Sequence, residues 1–215
     1  MKSVLLIGAG RFGQCIAKKM YDENYQLMVV DKNEEKVNAI LPYCTSARIG
    51  DSTSEEFLAG LGIRHYDVCI VAIGDDFQNS LETTSLLKEM GARRVVAQAS
   101  RDRQEKYLLN NGADEVIYLD KLGASLLAIR CFSDFIQDCI DLDSSYSIME
   151  LQIPASFSGK TVLQSNVRTR HGINILGIRN NESWDMNITP DTILPENGSL
   201  LVLGTKKAII KCFHI

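Results

Sequence analysis

The sequence predicts an α/β protein with a doubly wound parallel sheet, a crossover helix and a small α+β domain. Short apolar runs alternate with helical patterns over the first 120 residues, which is typical of a parallel sheet covered on both faces. A Gly-x-Gly-x-x-Gly motif at residues 8–13 follows the first apolar run, in a Rossmann-like context. We therefore predict a nucleotide-binding domain over 1–120, a helix and linker over 121–145 and a second domain over 146–215.

Six strands and five helices are predicted in the first domain. The helix after the glycine motif has Phe12, Ile16, Ala17 and Met20 on one stripe. Right-handed crossovers between the strands then give the doubly wound fold. The predicted strands are 4–7, 27–30, 47–49, 68–73, 94–97 and 116–119, and the predicted helices are 11–23, 34–41, 55–61, 77–90 and 104–110.

A long amphipathic helix is predicted over 121–142. Apolar side chains recur there at spacings of three or four residues, which is typical of a helix with one buried face. That stripe needs a partner, either the first domain or a second subunit. Its members are Leu122, Leu126, Ile129, Phe132, Ile136 and Ile140.

The last 70 residues have a different pattern, with strand-like runs separated by turn residues. Strands are predicted at 147–153, 173–179, 184–188 and 200–203, and helices at 162–170 and 206–213. Residues 146–215 carry 7 basic and 5 acidic side chains, a net charge of +2. This segment therefore predicts a small, mildly basic α+β domain.

Composition excludes several classes of protein. With 45% hydrophobic and 23% charged residues the chain is typical of a soluble globular protein. A net charge of −4 argues against nucleic acid as a partner. No apolar stretch approaches the roughly 18 residues that a membrane span needs. The six cysteines form no Cys-x-x-Cys motif, so we expect free thiols in a reducing cytoplasm.

The glycine motif predicts where a dinucleotide or nucleotide would bind. Gly8 permits the tight turn, Gly10 lets the backbone approach a pyrophosphate, and Gly13 lets the helix pack against the strand. The helix N-terminus then offers unpaired N–H groups to the phosphates. Asp31 ends the second strand, where an acid accepts hydrogen bonds from ribose hydroxyls and repels a 2′-phosphate.

Other strand ends are expected at the same crevice, because ligands bind outside the carboxyl ends of parallel strands. Asp51 is placed to accept from an adenine amino group, or alternatively to cap the helix that follows. Asp75 is in the next loop, where it or Asp76 is alternatively a helix cap. Arg11 adjoins the phosphates and would bind a terminal phosphate, or alternatively is a solvent-exposed arginine. The candidate nucleotide-binding residues are Gly8, Gly10, Arg11, Phe12, Gly13, Asp31, Lys32, Asp51, Ser52, Ile73, Gly74 and Asp75.

Catalytic machinery is missing from the pattern. A dehydrogenase needs a proton-transfer group near the nicotinamide, and no histidine or Tyr–Lys pair follows the glycine motif at a suitable spacing. We therefore predict a nucleotide sensor and not an enzyme. A small NAD-dependent oxidoreductase is the alternative.

Several motifs in order resemble the RCK family, the regulators of potassium conductance. The resemblance covers nearly the whole chain and is carried by residues 7–13, 30–37, 50–53, 61–63, 71–76, 112–114, 167–168 and 172–178. It implies a cytoplasmic regulatory subunit that gates a Ktr/Trk-type potassium uptake system from the inner face of the membrane. The implied ligands are ATP and ADP, or alternatively NAD and NADH.

The resemblance also implies an assembly and a role for Arg11. Members of the family form dimers through the crossover helix and octameric rings beneath a membrane-embedded, potassium-translocating subunit. Arg11 matches the arginine that reaches the γ-phosphate of ATP.

Two further sites are implied by the resemblance. Asp120 matches the position of an acid with which some relatives hold a divalent cation, Mg²⁺ or Ca²⁺, between subunits near the nucleotide, although close relatives have Glu there; the alternative is a helix N-cap. In the second domain, Arg168, Asn174, Ile175 and Pro190 match a site for cyclic di-AMP.

Overall fold

The computed structural model describes residues 2–23, 25–132, 135–180 and 183–214. The chain forms two compact units, Met1–Lys121 and Leu122–Ile215. Among the described helices, none has both the length and the apolar content that crossing a membrane requires.

The first unit is built on a parallel six-stranded sheet, as predicted, with the strand order β3-β2-β1-β4-β5-β6. After β3 the chain crosses to the other side of β1, so the winding direction reverses between β1 and β4. In such sheets the crevice for a ligand opens at this point. The strands are β1 Ser3–Ile7, β2 Gln26–Asp31, β3 Ser46–Ile49, β4 Val68–Val71, β5 Val95–Ala99 and β6 Glu115–Tyr118.

Helices cover both faces of this sheet. Ala17 and Ile40 bury the first two helices in one apolar cluster. Leu58, Leu87 and Leu108 bury the next three in a second cluster. The strands read as continuous apolar runs because both of their faces are covered in this way. The helices are α1 Arg11–Asp22, α2 Glu34–Ile40, α3 Glu55–Ala59, α4 Phe77–Glu89 and α5 Asp102–Asn110.

The predicted helix over 121–142 is wrong in its second half. Helix α6 spans Leu119–Phe132, and Ile136–Asp141 forms strand β7. This segment pairs antiparallel with β8, and Cys139 is buried in the second unit's core. Asp143 Oδ1 accepts from the backbone N–H groups of Ser145 and Tyr146, which closes the turn between the two strands. Strand pairing therefore overrides a helical spacing of Ile136 and Ile140.

The second unit is a small antiparallel sheet with helices, ordered β10-β9-β11-β8-β7. The predicted helix over 162–170 is two short helices, α7 and α8, because Asn166 between them adopts a left-handed conformation with φ 54°. The predicted strand over 184–188 is reduced to β10. The remaining elements are β8 Tyr146–Gln152, α7 Val162–Ser165, α8 Val167–His171, β9 Asn174–Asn180, β10 Ser183–Asp185, β11 Ser199–Thr205 and α9 Lys206–Phe213.

Candidate functional site

A cavity of about 670 Å³ opens at the carboxyl ends of the parallel strands, within the first unit. It brings together residues from the glycine motif, the end of β2, the loop after β3 and the loop after β4. All the predicted nucleotide residues except Gly13 line it. They are Gly8, Gly10, Arg11, Phe12, Asp31, Lys32, Asp51, Ser52, Ile73, Gly74 and Asp75.

The three glycines of the motif have distinct environments. Gly8 has φ 104°, and a Cβ there would lie 2.6 Å from the carbonyl oxygen of Ala72. A Cβ on Gly13 would lie 2.0 Å from the carbonyl oxygen of Gly8, so this buried residue sets how closely α1 packs on the loop. A Cβ on Gly10 would meet no atom within 4 Å. Gly10 therefore lies beside open space in the cavity and has no close neighbour. Gly13 instead allows α1 to pack tightly against the glycine loop.

Asp31 organises the glycine loop. One carboxylate oxygen accepts from the backbone N–H of Ala9 at 2.7 Å, and the other accepts from the N–H of Asn33 at 2.9 Å. Two carboxylate oxygens have about four lone-pair sites, so acceptor capacity remains for ribose hydroxyls. The side chain thus fixes the loop and still presents an acceptor to the cavity.

The loop after β3 presents an ionised acceptor. The backbone N–H and hydroxyl of Thr53 donate to Asp51 Oδ1 at 2.9 and 2.7 Å. These hydrogen bonds hold the pKa of Asp51 below its usual value. The alternative role of Asp51 as a helix cap is wrong, because the Ser54 hydroxyl accepts from Phe57 N–H and caps α3.

Both acids of the loop after β4 line the cavity, and one of them also caps α4. Asp76 caps α4 by accepting from the backbone N–H of Asn79, which confirms one of the two predicted alternatives. Asp75 lines the cavity. The Ser100 hydroxyl donates to the carbonyl of Gly74 at 3.1 Å and anchors this loop to the end of β5.

Several cavity residues escaped the sequence prediction. Gln98 is on β5, and Asn79 is in the first turn of α4. Both could have been found by extending the strand-end argument to the fifth strand and to the helix after the fourth. Lys36 on α2 and Cys15 on α1 carried no such signal, since each lies inside a helix and not at a strand end. The unpredicted lining residues are Ile7, Cys15, Val30, Lys36, Ala72, Asn79, Gln98 and Leu119.

Three basic side chains line the cavity, namely Arg11, Lys32 and Lys36. Arg11 is the first residue of α1 and is exposed at the cavity, beside the helix N-terminus. Lys32 and Lys36 are also exposed there. A helix N-terminus and a guanidinium together favour an anion such as a phosphate.

Asp120 lines the cavity as well, but it is not a helix N-cap, because α6 already begins at Leu119. Within the described ranges, no three His, Cys, Asp or Glu side chains converge as they would around a metal ion. The described residues of one chain therefore do not form a metal centre by themselves, and the cation site that the resemblance implies lies between subunits.

The four residues matched to a cyclic di-AMP site are all in the second unit. Arg168 is exposed on α8, while Asn174 and Ile175 begin β9 and are partly buried. Ile175 packs against the second unit's core. Pro190 is exposed, and its carbonyl accepts from the N–H of Leu163 at 2.9 Å.

A Rossmann-like sheet with this glycine loop, followed by a small antiparallel domain, defines a two-domain nucleotide-binding class. Residues 4–119 match the model of the TrkA-N domain, and residues 148–214 match the TrkA-C domain. The chain belongs to this family, which confirms the resemblance found in the sequence.

Two relatives from Bacillus subtilis (strain 168) span almost the whole chain. Ktr system potassium uptake protein A is 36% identical over 208 residues, covering 97% of this chain and 94% of its own. Ktr system potassium uptake protein C is 33% identical over 204 residues, covering 95% and 92%. Both are named potassium uptake proteins, and neither name describes an oxidoreductase, the alternative that the sequence left open.

Solved structures share the fold. The GsuK channel bound to NAD aligns with a TM-score of 0.70 and 20% identity, over 98% of this chain and 38% of that one. GsuK bound to ADP aligns with a TM-score of 0.54 and 17% identity, over 62% and 36%.

Proposed function

We propose that this chain is the regulatory subunit of a potassium uptake system and that an adenine nucleotide in the first unit's cavity controls it. The relatives that span the chain are potassium uptake proteins. The partner is a membrane-embedded, potassium-translocating subunit, which this chain meets at the cytoplasmic face of the membrane. A regulatory subunit of this kind acts by binding its ligand and its partner, so its role needs no catalytic residue.

The observation that carries the proposal is the cavity itself. It joins the glycine loop and α1 N-terminus, suited to phosphates, with Asp31, suited to ribose, and Asp51, suited to the adenine amino group. The structures of similar fold are of proteins bound to NAD and to ADP. Both ligands contain an adenosine diphosphate unit, and ATP contains it too. We therefore propose ATP and ADP as the ligands, with NAD and NADH as the alternative.

Control operates by a shift between states of the assembly. A ligand shifts such an equilibrium only through its different affinity for the two states. Arg11 supplies that difference when it contacts the γ-phosphate, which ADP lacks. The contact is made within one chain or across to a neighbouring subunit.

Assembly into a homo-oligomer is part of the proposal. Leu122 and Leu127 on α6 are 54% and 63% exposed, which supports a second copy packing on this helix. We propose a dimer through α6, and a ring of four dimers by resemblance to the family. Light scattering on the purified chain measures the size, and a monomer at micromolar concentration contradicts this part.

Calorimetry with ATP, ADP, NAD and NADH tests the nucleotide. We expect ATP and ADP to bind the natural chain, and Asp31→Ala to weaken both about tenfold or more because it removes the ribose acceptor and the loop anchor. Asp22→Ala, an exposed acid at the far end of α1, is the matched control and should leave both affinities unchanged. Failure of all four ligands to bind overturns the proposed function.

The second unit supports a second ligand, cyclic di-AMP. The site comprises exposed Arg168 on α8, Asn174 and Ile175 at the start of β9, and exposed Pro190, whose carbonyl accepts from the N–H of Leu163, itself 63% exposed. Cations with exposed apolar side chains suit a dianionic dinucleotide with two flat bases. Calorimetry should find a cyclic di-AMP site that Arg168→Ala abolishes and Asp31→Ala retains. Loss of that site in Asp31→Ala would instead place cyclic di-AMP in the first unit.

A further inference from the structure

Two buried hydroxyls meet behind the wall of the cavity. Ser52, which lines the cavity, has its Oγ 2.9 Å from Oγ1 of Thr83. Ser52 is 8% exposed and Thr83 is fully buried in the middle of α4. The bond joins residues 31 apart in the sequence, so it links two elements that otherwise meet the cavity separately.

Ser52 belongs to the loop of residues 50–52, which is held by several contacts. The Phe57 ring fills the space beside Gly50, where a Cβ would lie only 2.1 Å from a ring atom. Thr53 donates twice to Asp51. The backbone N–H of Gly50 also donates to the carbonyl of Asp31 at 3.1 Å, which ties the start of the loop to β2. The bond between Ser52 and Thr83 is the side-chain contact that ties the loop to α4.

Loss of the Thr83 hydroxyl would leave the Ser52 hydroxyl without its partner in a poorly solvated place. A buried hydroxyl without a partner is costly, so Ser52 would turn towards the cavity or its water and the loop would shift. The neighbouring Asp51 would shift with it. Hydrogen bonds weaken steeply as distance and angle depart from their optimum, so a small shift matters to a ligand on Asp51.

We propose that Thr83 is a positioning residue for recognition of the adenine base. Through Ser52 it holds Asp51 where that carboxylate accepts from the 6-amino group. Thr83 itself does not touch the nucleotide. This inference rests on the proposed function, since it concerns the base of the same ligand.

The test compares ADP with IDP, which carries an oxygen where adenine carries the amino group. We expect the natural chain to prefer ADP roughly tenfold, the usual effect of a hydrogen bond to a charged acceptor. Thr83→Val has nearly the same shape and should reduce this preference to about threefold or less, with the affinity for IDP unchanged. Thr83→Ser keeps a hydroxyl and should restore the preference.

Ser80→Ala is the matched control on the same buried face of α4. The Ser80 hydroxyl is buried and has no hydrogen-bond partner among the described residues, so its removal should leave the preference unchanged. Equal losses of ADP and IDP affinity in Thr83→Val would mean a general structural role and overturn the proposal. An unaltered preference in Thr83→Val would overturn it too.

Ser52→Ala breaks the same bond from the other side and decides the matter if Thr83→Val fails to fold, as judged by circular dichroism. We expect Ser52→Ala to lower the preference for ADP; an unchanged preference overturns the proposal. If the natural chain binds ADP and IDP equally, this inference fails while the proposed function stands. If it binds no adenine nucleotide, the proposed function itself fails.

Discussion

Arg11 illustrates how one side chain connects the cavity to control. It starts α1, is exposed at the cavity, and makes no ion pair with any described residue. An arginine in such a position is available to an added phosphate, whereas Asp31 and Asp51 are already ordered by hydrogen bonds to the backbone. We therefore expect Arg11 to determine the preference between ATP and ADP. Asp31 and Asp51 would bind the ribose and base that both nucleotides share.

We expect Arg11→Ala to reduce ATP affinity about tenfold or more and ADP affinity by much less, because only ATP has the γ-phosphate. Calorimetry with both nucleotides measures this. Arg103→Ala, an exposed arginine on α5 that is not part of the cavity wall, is the control and should change neither affinity. Equal losses for ATP and ADP would contradict the role given to Arg11.

At the scale of elements, the glycine motif separates packing from binding. Gly13 sets the contact between α1 and the loop, while Gly10 has open space around it. The sequence motif alone does not show which glycine serves packing and which serves binding. The atoms around each glycine in the structure show it.

Two alanine substitutions should consequently have opposite effects. Gly13→Ala forces a Cβ against the Gly8 carbonyl, and overpacking of this kind costs roughly 1–3 kcal/mol of the free energy of unfolding. Gly10→Ala should leave the unfolding temperature nearly unchanged but weaken nucleotide binding, since the methyl group occupies the approach of the pyrophosphate. Thermal unfolding and calorimetry on both variants check this. Normal nucleotide affinity in Gly10→Ala would remove the phosphates from that place.

The element that sequence reasoning missed is β7. Ile136, Cys139 and Ile140 have helical spacing and show no strand alternation, yet Cys139 rather than Ile140 is the buried residue. Ile140 is 59% exposed. Pairing with β8, with a register shift between Ile136 and Asp138, makes the segment a strand against its local pattern. For α6, Leu122 is exposed, while the side chains of Leu126, Ile129 and Phe132 lie outside the described residues.

At the scale of the whole molecule, several carboxylates tie distant segments together. Hydrogen bonding from the backbone N–H of Ser3 lowers the pKa of Asp67, and Lys206 lowers the pKa of Asp141. Asp143 is a local case, because backbone hydrogen bonds from Tyr146 and Ser145 in its own turn lower its pKa. Each group binds its proton less tightly in the folded chain than in the unfolded one.

Stability should therefore be constant near neutral pH and fall in acid. The contribution of each carboxylate is present above the ordinary value of 3.8 and is lost as the pH falls through the lower folded value. Thermal unfolding followed between about pH 7 and pH 2.5 measures the loss. Asp141→Asn should make the acid decrease smaller, and Asp138→Asn, an exposed residue of the same strand, should not. An unfolding temperature independent of pH would contradict the assignment.

The sequence by itself determined the parallel sheet, its glycine loop and most of the cavity. Apolar strands alternating with helices, and acids at strand ends, are local patterns whose geometry follows from the chain alone. The family followed from the same motifs.

The tertiary structure decided what depends on partners far away in the chain. It made 136–141 a strand and brought Lys36 and Cys15 to the cavity. It also joined Ser52 to Thr83. Each of these outcomes depends on which residues become neighbours when the sheet closes, and no local period or motif encodes that.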